Sequence, residues 1–212
     1  MKRTVAALAA SLFALAAGPA RADDLATIQT AMKAASANVH SFRIEVTSPM
    51  GMSAVMTVVR EPARVHMQFT GLMNVETYTT DGFLYMRLGT AGWKKYATPI
   101  PAVNTDVVRS LSEAAHMTVG PDVTENGAVY GSLLVKTDAN MLPGVPTPTA
   151  ALTCTYDKRT YLMRACTGDA FSETITGYND PANAVALPPD AANAPDGGPL
   201  PFALPTPTTA PK

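Results

Sequence analysis

From Phe42 onward, apolar and polar residues alternate with a period of two. Phe42, Ile44 and Val46 share one side of an extended segment, and Arg43, Glu45 and Thr47 share the other. Pro49-Met50-Gly51 supplies a hairpin turn. Met52, Ala54, Met56 and Val58 then alternate against Ser53 and Thr57, with Val55 and Val59 blurring the polar side. Pro62 interrupts, and Val65, Met67 and Phe69 resume the apolar side against Arg64, His66 and Gln68. Residues 73–79, 83–88 and 93–96 give three further strands, the last two forming a hairpin that opens on Asp81-Gly82. Six strands joined by short turns predict an antiparallel meander.

A period of 3.6 precedes and follows this meander. Leu25, Ile28, Met32 and Ala35 predict a helix over residues 23–38, capped by Asp23 or Asp24 and ended by Asn38. Val107, Val108, Leu111, Ala114 and Ala115 predict a second helix over residues 104–117, with Thr105 as N-cap. Strands return at 118–124, 129–137, 152–156, 161–166 and 171–178, with a proline-bearing loop over 138–150. The fold class expected is α+β: a large curled antiparallel sheet of about eleven strands, an incomplete, half-open β-barrel, with helices packed on its concave side.

The ends of the chain set the domain limits. Lys2 and Arg3, the apolar run 5–17 and Ala20-Arg21-Ala22 read as a signal peptide, residues 1–22, cleaved after Ala22. A soluble periplasmic product without a transmembrane segment is expected. From Ala186 to Lys212 eight residues are proline, which predicts an extended, disordered tail over 186–212 in which only Leu200, Phe202 and Leu204 offer docking groups. The folded domain is then 23–185. Loss of Lys2, Arg3 and Arg21 from 16 basic residues leaves 13 against 17 acidic ones, net −4. That balance argues against nucleic acid as a partner.

Candidate chemistry is sparse. Cys154 and Cys166, the only cysteines, lie on strands joined by the turn 157–160, so a disulfide closing that hairpin is expected, with a bulge to bring the two opposite each other. Met52, Met56, Met67 and Met86 fall on apolar strand faces, and methionine adapts to ligands without a fixed outline. An ordinary methionine-bearing core is the plainer reading. Met50-Gly51-Met52 with Met56 also resembles a thioether cluster for Cu(I), although His40, His66 and His116 are scattered. Gly51-Met52-Ser53 begins like a nucleophile elbow, but Ala54-Val55 breaks the pattern. No phosphate loop, dinucleotide fingerprint or zinc spacing occurs, so an enzyme is not expected and neither a cofactor nor a metal is assigned. Tyr78, Tyr85, Trp93 and Tyr96 form either an exposed recognition surface or, preferred for Tyr85 and Trp93, filling for the inner sheet face.

The first helix followed by Val39-His40-Ser41-Phe42-Arg43, the Asp81-Gly82 turn with Tyr85 and Trp93, and the close Tyr178-Asn179-Asp180-Pro181 with Val185-Ala186-Leu187-Pro188-Pro189 together resemble the LolA/LolB/LppX superfamily of bacterial envelope lipoprotein and lipid carriers. The ending is similar also to the mycobacterial LprG-like branch. The resemblance covers most of residues 24–189. It implies an incomplete barrel around helices, with an apolar cavity for acyl chains. Phe42, Ile44, Met52, Met56, Val65, Met67, Phe69, Tyr85 and Trp93 are the expected cavity residues. In the lipoprotein carriers an arginine directly before a proline holds a lid closed. Arg60 is the nearest match here, separated from Pro62 by Glu61, and a solvated strand end is the alternative. The loop 138–150 and the helix 104–117 are the expected covers of the mouth. The function expected is that of a monomeric carrier or binding protein for a lipoprotein, acyl chain or other lipid-like ligand. Its alternatives are an envelope interaction, scaffold or lipoprotein-sensing protein with an envelope protein partner and no ligand, and a Cu(I) binder.

Overall fold

The structure, a computed structural model, describes residues 24–97, 115–137 and 150–198. Helix α1 (Leu25–Ala37) opens it, followed by β1 (Ser41–Thr47), β2 (Ser53–Val59), β3 (Arg64–Thr70), β4 (Val75–Thr80), β5 (Phe83–Leu88) and β6 (Lys94–Ala97). Then come β7 (Ala115–Val119), β8 (Val123–Glu125), β9 (Ala128–Thr137), β10 (Ala150–Asp157), β11 (Met163–Thr167) and β12 (Ser172–Thr176), and a one-turn helix α2 (Pro189–Ala192). All twelve strands join one antiparallel sheet in the order β6-β5-β4-β3-β2-β1-β12-β11-β10-β9-β7, with β8 also on β9. The sheet does not close, because β6 and β7 end it on either side.

The meander forms as its pattern predicts. Asp81 and Gly82 both have positive φ (54° and 79°), the geometry of a type I′ turn whose twist matches the strands it joins. Asp24 caps α1 by accepting from the Thr27 amide at 2.7 Å. Cys154 and Cys166 lie directly opposite each other in the β10–β11 register and are disulfide-bonded, with a register shift at Thr155/Tyr156. Gly131 faces Tyr156, whose ring lies where a Cβ would sit, so only glycine admits that ring against β9.

The sheet curls because one helix serves both its halves. From β1 to β7 the strand order contains five steps, about 24 Å across a flat sheet. A helix is only about 10–12 Å wide, yet α1, tied to β1, also contacts β7. Ile28 and Met32 of α1 share one core with Phe42, Ile44, Val58 and Val65 from one half and with Leu133, Val135, Leu152 and Cys154 from the other.

Three expectations are corrected. The second helix was placed over 104–117, but Ala115–Val119 is strand β7, paired with β9, and Met117 packs against the main core. Ala115, the end of the expected helical stripe, is instead the first residue of a strand set by pairing with β9, whose residues are strongly β-forming. Residues 104–114, like the loop 138–149, lie outside the described residues. The strand over 118–124 is two strands, broken at residues 120–122, which raises the count from eleven to twelve. The tail does not begin at Ala186: residues 186–198 carry α2 and pack on the sheet, with Ala191 fully buried. Pro189 at a helix start has its φ pre-set and lacks only an amide that would be unpaired there. No helix among the described residues is long and apolar enough to cross a membrane.

Candidate functional site

Cross-strand register sorts the expected cavity residues onto two faces. Phe42 pairs with Val58, which pairs with Val65; Ile44 pairs with Met56, which pairs with Met67; and Ala54 pairs with Phe69. Partners directly opposite share a face, so these residues form rows on the face that α1 covers. Phe42, Ile44, Val58 and Val65 are buried, whereas Met56, Met67 and Phe69 are half-buried. Val46 and Met56 flank the main core, and Met67 and Phe69 lie outside it. Met52 belongs beside them, its Cγ and the Phe69 ring both meeting Gly71. The apolar face therefore runs on, toward the 48–52 and 71–74 turns, past the point where the packed core ends.

Tyr85 and Trp93 do not join this face. Tyr85 pairs with Tyr78 and Lys95, between Leu84 and Met86, which are buried on the α1 side. It packs with Trp93 and Ala191 under the C-terminal segment, flanked by Tyr78, Phe83, Leu187 and Ala194. The two aromatics are inward only because residues 187–194 cover the opposite face. Tyr96 is the aromatic that points to the α1 side, paired with Leu84.

Arg60 lies at the buried end of the apolar face. Its Nη1 donates to the Ser36 carbonyl at 2.6 Å, at the C-terminal turn of α1. That is where helix carbonyls lack partners and the dipole favours a cation. Met32, Ser36, Val39, Phe42, Arg60 and Tyr178 line a void of about 30 Å³ beneath α1, room for roughly one water molecule. Tyr178 donates to the Met163 carbonyl at 2.6 Å. Burial pushes its phenol well up, the neighbouring Glu173 adds to this, and Arg60 opposes it. Glu173 itself pairs with Val46 and Cys166, on the apolar face, and burial raises its carboxyl.

The residues that hold α1 against the sheet were not singled out by sequence as functional. Asn179, at φ 56°, accepts the His40 amide at 2.6 Å and the Ser41 amide at 3.3 Å, and its Nδ2 donates to the Asn38 carbonyl at 2.9 Å. Asn183 Nδ2 donates to Ser41 Oγ at 3.1 Å. The signal was present in Tyr178-Asn179-Asp180-Pro181, since asparagine is the residue that both tolerates positive φ and satisfies backbone groups.

On the opposite face Glu76 collects His66 Nε2 at 3.0 Å, the Tyr78 hydroxyl at 3.3 Å and the Arg87 guanidinium. Burial works to raise its carboxyl, but the Arg87, His66 and Gln68 hydrogen bonds outweigh this and hold it below the ordinary 4.5. Arg87 also lies 4.8 Å from the Trp93 ring centroid, and Trp93 Nε1 donates to Asp190 Oδ2 at 3.1 Å. His66, on the polar side of β3, stacks on Tyr78 with centroids 4.2 Å apart. This cluster fastens α2 to the sheet.

The thioether cluster has poor geometry for an ion. Met50 is an exposed turn tip, and Met52 and Met56 are about 13 Å apart along an extended strand. No group of three His, Cys, Asp or Glu among the described residues is placed to hold a metal.

No protein-family model matches the chain, and no curated protein sequence does. Solved structures do. The lipoprotein LppX of Mycobacterium tuberculosis superposes with a TM-score of 0.51 at 13% identity, covering 74% of this chain and 97% of that one. LprF from Mycobacterium bovis superposes with a TM-score of 0.54 at 12% identity, covering 79% of this chain and 99% of that one. The chain thus has the LppX-like fold that its first strand, its Asp81 hairpin and its closing motif implied.

Proposed function

We propose that this protein is a non-enzymatic carrier or binding protein for an acylated or other lipid-like ligand, exported to the periplasm by a signal peptide cleaved after Ala22 and acting as a monomer. The observation that carries this reading is the half-buried row Met52, Met56, Met67 and Phe69, which extends the α1 face beyond the packed core. Flexible thioether side chains on such a face suit a ligand of variable outline. Each methylene removed from water contributes about 0.8 kcal/mol, so an acyl chain laid along the row gains useful affinity without any polar contact. The likeness in fold to the lipoprotein LppX and to LprF supports the same reading.

Arg60 acts, in this account, on α1. Its hydrogen bond to the Ser36 carbonyl holds the helix against the sheet, and a ligand that enters beneath α1 must break it. A second reading is favoured by the void beneath α1, which at about 30 Å³ is far below the roughly 300–1,000 Å³ of ordinary ligand pockets, although an open hollow of about 340 Å³ lies beside Phe69, Val75 and Glu76. This second reading takes the protein as an envelope interaction, scaffold or lipoprotein-sensing protein whose sheet is filled by its own side chains. Uptake of a hydrophobic fluorophore by wild type and by Met56→Arg separates the two. Uptake that Met56→Arg abolishes, with the circular dichroism of the sheet retained, supports the carrier; no uptake by either protein supports the filled sheet.

A further inference from the structure

One row of the α1 face carries a charge. Phe69, Ala54, Val46, Glu173, Cys166 and Cys154 stand opposite one another in turn, from β3 through β2, β1, β12 and β11 to β10. Partners directly opposite share a face, so Glu173 lies in the same row as Phe69, three strand spacings or about 14 Å away. Its own strand agrees. Phe171 and Ile175, two positions to either side, both pack in or against the main core. Glu173 is the only charged residue among the six, and it is half-buried.

The glutamates of the other strands have partners. Glu45 of β1 meets Arg43, Glu76 of β4 meets Arg87, and Glu125 of β8 meets Arg164. Glu173 has no hydrogen bond or ion pair with any of the described residues. Burial raises its carboxyl, and no donor or cation opposes the rise. Arg60, which also reaches the α1 face, lies at the Phe42 end and donates to the Ser36 carbonyl. A carboxylate among apolar side chains costs free energy until a donor meets it, and a charged donor meets it best.

We propose that Glu173 selects the polar end of the ligand, receiving the cationic amine of a lipid-like molecule whose chain lies along Met56, Met67 and Phe69. An ammonium group supplies both the opposite charge and the hydrogen-bond donors that the carboxylate lacks. An anionic head meets like charge in a poorly screened setting and is rejected. The inference rests on the carrier reading and specifies the chemistry of its ligand.

The test is displacement of a neutral hydrophobic fluorophore from the protein, recovered from an export-competent host. Hexadecylamine, hexadecanol and palmitate are the competitors, each kept below its micelle-forming concentration. Wild type binds the amine roughly tenfold or more tightly than the alcohol, and palmitate most weakly. Glu173→Gln, which keeps the size and removes the charge, brings amine and alcohol level without weakening the alcohol. Glu173→Lys reverses the order in favour of palmitate. An amine preference that survives Glu173→Gln overturns the proposal. So does wild-type protein that binds all three alike, an outcome in which uptake itself leaves the carrier reading standing. Wild-type protein that takes up neither fluorophore nor competitor overturns both.

Discussion

Glu76 is held ionised by its neighbours, and the consequence for stability has a definite sign. Its folded carboxyl lies below the ordinary 4.5, so the stability it contributes is present above that pH and is lost as pH falls through the folded value. Urea denaturation below pH 4.5 is expected to show a steeper acid loss for wild type than for Glu76→Gln, with the two curves running parallel at neutral pH. A parallel course through the acid range contradicts the network. Asn179 makes a second, independent prediction. It satisfies three backbone groups between α1 and β1, so Asn179→Ala is expected to cost about 1–3 kcal/mol in urea denaturation. At this scale the sequence was uneven. Cys154 and Cys166 were legible because two cysteines on one hairpin leave little choice. Tyr85 was misplaced, because alternation says that it opposes Leu84 and Met86 but not which face is covered.

The elements themselves were legible where periodicity was long and uninterrupted. All six strands of the meander and α1 lie within about two residues of where the apolar pattern placed them. The errors fell where a short element hides in biased composition. Residues 186–212 average to a proline-rich tail, yet the first part of that segment holds Ala191, buried against Tyr85 and Trp93. Lys95 donates to the Pro195 carbonyl at 3.0 Å, and Gly197 donates back to Lys95 at 2.7 Å, so this strap also pairs with the free edge of β6. Trp93 is the only tryptophan, so its emission reports on the strap alone. Asp190→Ala is expected to shift that emission to longer wavelength and to cost about 1 kcal/mol, a value kept small by the exposure of Asp190. On the other half of the sheet, Cys154→Ser with Cys166→Ser is expected to cost about 3 kcal/mol, the entropy of closing a short loop in the unfolded chain.

For the molecule as a whole, the decisive property is that one curled sheet presents two faces with different work. Over β4–β6 the face opposite α1 is covered by the strap through an ionic and aromatic cluster, while on β1 it stays exposed at Arg43 and Glu45. The α1 face is closed at its Phe42 end and left half-covered along Met56, Met67 and Phe69. The curl was readable from the number of consecutive antiparallel strands, because so many cannot stay flat. Which residues line the open part was readable only in β1–β3, where alternation is clean and both neighbours are local. The cargo was not readable, since apolar rows specify burial without specifying a partner.

The central claim, that this face holds a lipid-like ligand, is tested most directly by native mass spectrometry of the protein purified from its own envelope, beside Met56→Arg prepared in the same way. The account predicts wild-type protein carrying non-covalent adducts that extract as lipid, and a variant of unadducted mass that keeps the same fold. Wild-type protein recovered only at its bare polypeptide mass, or adducts retained unchanged by Met56→Arg, would contradict it.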